Sequence, residues 1–153
     1  MSDSLRADAA EDRAHPRRGA LAVLATAQLV LALDYSIVNM ALPSIGGSLG
    51  FSRDAVEWVV SAYSLMFGGF LLLGGRSSDL LGRRRVFMAS GALFALASMV
   101  GGLSTTPAML LGGRALQGLA GGFLFPATLS LVTTTFPEGP SRNRAISVWG
   151  AAG

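Results

Sequence analysis

The chain alternates between long apolar runs and short polar breaks, and the runs are too long for a soluble core. Residues 1–18 are polar and carry charges of both signs. An almost uncharged stretch follows from Gly19 to Ser52, broken only at Asp34. Further apolar runs lie after Glu57, between Val86 and Gly113, and between Ala115 and Pro137. Runs of about 18 or more such residues are the lengths that cross a bilayer. The breaks hold the turn-forming residues: Pro43 with Gly46 and Gly47, then Ser104 to Pro107, then Pro137, Gly139 and Pro140. The pattern predicts an all-α integral membrane protein with spans at about 19–42, 55–75, 86–103 and 108–133, and a fifth starting at 145–153. Ser52 or Asp54 is placed to cap the second helix. Trp58 and Tyr63 sit near its start, where amphipathic rings favour the membrane interface. Residues 76–85 read as a loop. The tail 1–18 has the composition of a disordered segment.

The final apolar run is short. Residues 146–153 make about 12 Å of helix against a ~30 Å hydrocarbon core. The sequence is therefore expected to be part of a longer protein. The first run is too long for the apolar segment of a cleaved leader and is followed by comparable runs, so it reads as a retained helix.

Composition sharpens this picture. Hydrophobic residues make up 51% of the 153 and charged residues 14%, well below the quarter usual in soluble domains. All 12 basic residues are arginine. Four lie in the tail, four in the 76–85 loop and two after the fourth span; the remaining two are Arg53 and Arg114. By the positive-inside rule this sets the N-terminus on the cytoplasmic side of the plasma (inner) membrane. The net charge of +3 then reports loop arginines, and no nucleic-acid partner is expected. There is no cysteine, and the single histidine, His15, lies in the tail. Neither a thiol nucleophile nor a metal cluster can be built, so no enzyme activity, metal or cofactor is expected.

Two ionisable residues fall inside spans, Asp34 and Arg114. Each costs about 2.5–3.5 kcal/mol at a helix centre on insertion scales, and such residues mark functional sites. Asp34 lies about 12 Å below the outer end of its helix and Arg114 about 9 Å below the outer end of the fourth. The matched depth permits a pair or a shared cavity. A pair that only locks two helices together is the competing reading. Gln117, Gly118 and Gly121 follow Arg114 on the same helix face. Gly118 and Gly122 form a GxxxG spacing suited to close helix packing.

Three stretches resemble the major facilitator superfamily, and most of all its 14-span drug:proton antiporters. "GGRSSDLLGRRRVF" is similar to the signature between the second and third helices, matching at Gly75, Asp79, Gly82, Arg83 and Arg84; Ser77, Ser78 and Leu80 depart from it. "LDYSIVNMALPSI" is similar to the 14-span group's first-helix pattern through Asp34, Ser36, Asn39 and Pro43. "RALQGLAGG" resembles the fourth-helix element through Arg114, Gln117 and Gly118. "EWVVSAYSL" looks like the group's second helix. The resemblance implies the N-terminal helices of a major-facilitator-type bundle. It implies that Asp34, Arg114, Gln117 and Asn39 couple protons to an amphipathic small-molecule substrate. It also implies that Asp79, Arg83 and Arg84, with Gly75 and Gly82, form a cytoplasmic gate against a missing C-terminal half. The expected function is proton-coupled efflux in a lipid bilayer. A fragment without transport of its own and an uptake carrier of the same superfamily are the alternatives.

Overall fold

A computed structural model describes residues 2–48 and 53–153, with side chains described at 17–38, 40–41 and 57–153. Five helices follow in order: α1 Ser2–Ser48, α2 Arg53–Leu81, α3 Arg83–Gly102, α4 Pro107–Thr135 and α5 Pro140–Ala151. Among the described residues, four helices are long and apolar enough to cross a membrane: Arg17–Val38, Glu57–Leu81, Arg83–Gly102 and Pro107–Thr135. The fold is all-α, as the hydropathy pattern requires.

The helix ends follow local chemistry. Gly82 alone separates α2 from α3. Its φ of 93° is open to glycine at little cost, and its carbonyl accepts from the amides of Arg85 (3.0 Å) and Val86 (3.1 Å). The 76–85 segment is therefore two helix ends meeting at one residue, not the loop its polar composition suggests. Ser78 explains the difference: its buried hydroxyl donates to the Gly74 carbonyl at 2.9 Å, so it satisfies itself inside the helix. At the start of α4, Thr106 is extended and its hydroxyl accepts from Met109 N at 3.3 Å, with Pro107 in the first turn. Gly139 (φ 113°) and Pro140 start α5, and Arg142 Nε donates to Phe136 O at 3.1 Å, closing the end of α4. Ser52 lies outside the described residues; Asp54 falls within α2, which starts at Arg53, and its side chain is outside them.

α1 differs from expectation at both ends. It starts at Ser2 and runs past Pro43 to Ser48. The stretch "RADAAEDRA" is rich in strong helix formers, which outweighs its polarity.

α4 is the centre of the bundle. Half of its span is buried inside the structure, against 17–22% for the other three. It packs on α2, α3, α1 and α5. One cluster joins Leu24, Val132, Phe136, Ala145 and Trp149; another joins Leu31, Tyr63, Phe94, Ala120 and Leu124. Large apolar side chains such as Met40, Leu65, Leu72 and Leu96 point outward, which suits a lipid-facing surface.

The α2–α4 contact is backbone on backbone. A Cβ on Gly118 would strike the Tyr63 carbonyl and stand 2.9 Å from Tyr63 Cα. A Cβ on Gly122 would stand 2.8 Å from the Phe67 carbonyl oxygen, and one on Gly74 would strike the Gly122 carbonyl. With the apolar side chains already in lipid, such close approach supplies much of the packing energy. Replacing Gly118 with alanine should force α2 away and destabilise the bundle by about 1–3 kcal/mol. A lowered thermal unfolding midpoint of purified protein checks this, with Gly112→Ala as control, since nothing lies within 4 Å of a Cβ there.

Candidate functional site

Arg114 enters α4 on its buried side, two turns after the Thr106 cap. It is 1% exposed. A guanidinium cannot discharge by losing its proton, so its charge must be met in place. Asp34 of α1 meets it: Arg114 Nη1 donates to Asp34 Oδ2 at 2.6 Å. The same nitrogen donates to Gln117 Oε1 at 3.0 Å. Gln117 lies three residues on, hence on the same face. Its amide nitrogen donates to Asp34 Oδ1 at 2.8 Å and to Ser98 Oγ of α3 at 2.7 Å. The ring of Tyr63, from α2, covers the guanidinium, with Arg114 Cζ 4.3 Å from the ring centroid. Four helices thus converge on one charge.

Burial is uneven across the network. The Arg114 and Tyr63 side chains are sealed, whereas the Asp34 side chain keeps 16% of its surface open. The ion pair therefore has one accessible partner, and that partner is the acid. A row of rings continues from the site. Tyr63 lies 5.9 Å from Tyr35 and 5.9 Å from Phe67, Phe67 is 6.0 Å from Phe125, and Phe125 is 5.3 Å from Trp149 of α5. A cavity of about 300 Å³ opens beside them, lined in part by Gln28, Tyr35, Tyr63, Phe67 and Phe125.

Of the residues singled out from sequence, Asp34, Arg114 and Gln117 come together. Gly118, Gly121 and Gly122 lie on the same helix against Tyr63, Phe67 and Phe70. The Asn39 side chain lies outside the described residues. The second set sits apart. Asp79 is 16 residues from Tyr63 along α2, about 24 Å of helix. There Arg83 Nη2 stands 3.8 Å from Asp79 Oδ1, both partly exposed, beside the exposed Arg84 and the Gly82 break; Gly75 lies one turn earlier, inside α2. An exposed pair of this kind is worth about 0–1 kcal/mol.

Two site residues escaped the sequence reading. Tyr63 was placed at the interface, but it is 5% exposed and faces the core. Ser98 gave no signal beyond its hydroxyl. Depth could have found the tyrosine. Counted from the start of the predicted second span, Tyr63 lies about 12 Å in, level with Asp34.

Ionisable residues inside membrane spans are rare and face partners or cavities, and this pair does both. The sequence profile described as Major Facilitator Superfamily matches residues 24–153, and the chain belongs to that superfamily. It is 44% identical over 129 residues to the cephamycin export protein CmcT of Amycolatopsis lactamdurans, covering 84% of this chain and 26% of that protein. It is 47% identical over 137 residues to the puromycin resistance protein pur8 of Streptomyces alboniger, covering 89% and 27%. It is 38% identical over 130 residues to the multidrug efflux pump LfrA of Mycolicibacterium smegmatis, covering 85% and 26%. The chain spans about a quarter of the length of these relatives.

Gln117 is the brace that the geometry makes most exposed to test. Gln117→Met keeps the volume but leaves Asp34, Arg114 and Ser98 each one hydrogen bond short. The expected cost is about 1–3 kcal/mol, read as a drop in the thermal unfolding midpoint. Ser98→Ala, which removes only one neutral partner, should cost less.

Proposed function

We propose that this chain forms the N-terminal helices of a proton-driven exporter of amphipathic small molecules, working by antiport. The observation that carries the reading is the Asp34 carboxylate, held by Arg114 and Gln117 inside the spans yet open on one side. Ionised, it neutralises Arg114; protonated, it leaves the guanidinium without its counter-charge. An amphipathic cation reaching the open side of Asp34 competes with the proton for the same oxygens. The exchange of one for the other is the coupling step. Tyr35, Phe67 and Phe125, on the wall of the neighbouring cavity, suit the apolar part of such a substrate, and the relatives' names for export, resistance and efflux support the direction.

The activity belongs to a longer protein. Alternating access in such carriers needs a second repeat rocking against the first. In this reading Asp79, Arg83 and Arg84 hold the gate against that second half on the cytoplasmic side, where the arginine bias also sets the N-terminus. The protein sits in the plasma (inner) membrane, with lipid on the outward apolar faces and protons as the coupling ion.

The test is Asp34→Asn in the full-length transporter, with ethidium as probe. The carboxamide keeps the shape and loses the titratable group. Proton-driven ethidium efflux from loaded cells should fall to the level of cells without the transporter, at unchanged protein level in the membrane. Efflux equal to wild type would overturn the reading.

A further inference from the structure

We propose that Tyr63 is a positioning residue: its ring is the second support of the Arg114 guanidinium and keeps that cation beside Asp34 while the carboxyl carries a proton. The inference rests on the proton-coupled reading above and adds to it a role for Tyr63, to which the second-helix resemblance of "EWVVSAYSL" gives none.

The case starts from what the guanidinium has around it. Its Nη1 serves both Asp34 and Gln117, and its buried Nε has no hydrogen-bond partner among the described residues. The flat face is covered by Tyr63 at 4.3 Å. The negative face of an aromatic ring attracts a cation, and most strongly where water is excluded. Arg114 is sealed from water, so this contact is at the strong end of its range. Protonation of Asp34 removes the ionic partner but leaves the ring unchanged. Among the described residues, what then holds Nη1 is the neutral Gln117 carbonyl.

The ring cannot easily retreat. The Tyr63 backbone rests on Gly118, one turn beyond Arg114, where a Cβ would strike its carbonyl. Its hydroxyl stands 3.3 Å from the place a Cβ would take on Gly121, and Phe67 stacks on it at 15°. Gly118 and Gly121 therefore do more than pack helices. They bring α2 close enough for the ring to lie on the guanidinium. Tyr35, tilted at 46° and 5.9 Å away, faces the same ring from α1. Around Asp34, then, stand Arg114 and Gln117 from α4, Tyr63 from α2 and Tyr35 from its own helix.

The experiment separates the ring's face from its shape. Position 63 of the full-length transporter is replaced by phenylalanine and by its mono-, di- and trifluorinated forms, which drain the face while keeping the outline. Reconstituted protein is assayed with ethidium in two ways: transport driven by a proton gradient, and counterflow with no gradient. Tyr63→Phe should stay within about twofold of wild type in both. Gradient-driven transport should fall with each added fluorine, reaching about a tenfold loss at three, while counterflow stays within about twofold. Tyr63→Leu, if it folds, should behave like the trifluorinated form. A flat fluorination series overturns the proposal. So does a series in which counterflow falls in step, because the ring would then be acting on the substrate. A wild-type protein with ethidium counterflow but no response to the proton gradient would overturn the proton-coupled reading itself.

Discussion

The structure is organised around a charge that cannot be switched off. Arg114 stays protonated at any accessible pH, and it is sealed inside a helix that crosses the membrane. An unpaired ion there costs about 2.5–3.5 kcal/mol on insertion scales. Each neighbouring helix answers that constraint. α1 brings the counter-charge, α2 the ring over the guanidinium face, α3 the hydroxyl that braces the bridging amide, and α4 the amide itself. Each contact is made by one side chain projecting from a helix wall, so the helices must lie at the depths they do.

Apolar side chains cannot supply that alignment, because leucine gains nothing by leaving lipid for another leucine. The glycines supply it. Gly74, Gly118 and Gly122 let the backbones of α2 and α4 touch. The closeness that packs the pair also sets Tyr63 over Arg114. Helix packing and site geometry are one feature here. A change made for packing at Gly118 is also a change at the guanidinium, through the backbone of Tyr63.

Much of this was legible in sequence because the bilayer imposes a simple code. Long uncharged runs mark spans, and the rise per residue converts position into depth, which was enough to set Asp34 opposite Arg114. The same arithmetic reaches Tyr63, yet a tyrosine near a helix start fits the membrane interface equally well, and composition cannot tell the two apart. Ser98 is one of many serines in apolar helices, and only a partner distinguishes it. The 76–85 segment misled for a related reason. Its polar residues suggest a loop, but a serine that bonds back to its own helix carries its polarity at no cost. Which polar groups are satisfied locally and which across helices is a property of packing, and periodicity does not record it.

The donor and acceptor count of the network explains why a proton should matter to it. With Asp34 ionised, both its oxygens accept: Oδ2 from Arg114 and Oδ1 from Gln117. Gln117 Oε1 accepts from Arg114, and its amide nitrogen serves Asp34 and Ser98. Every hydrogen bond in the set then runs from donor to acceptor. A proton on either Asp34 oxygen adds a donor to a set already rich in donors and weakens that oxygen as an acceptor. If the amide of Gln117 rotates to accept that proton, its nitrogen turns towards Arg114 and sets donor against cation. If the carboxyl rotates instead, it leaves one of its two donors unmet in a buried site, at a cost of about 1–3 kcal/mol. The network as built has no equally good arrangement for the protonated acid. In the proposed reading relief comes from a shift of α1, which among the described residues carries Asp34 as its member of the hydrogen-bonded set. In the proposed cycle this mismatch turns a proton into motion.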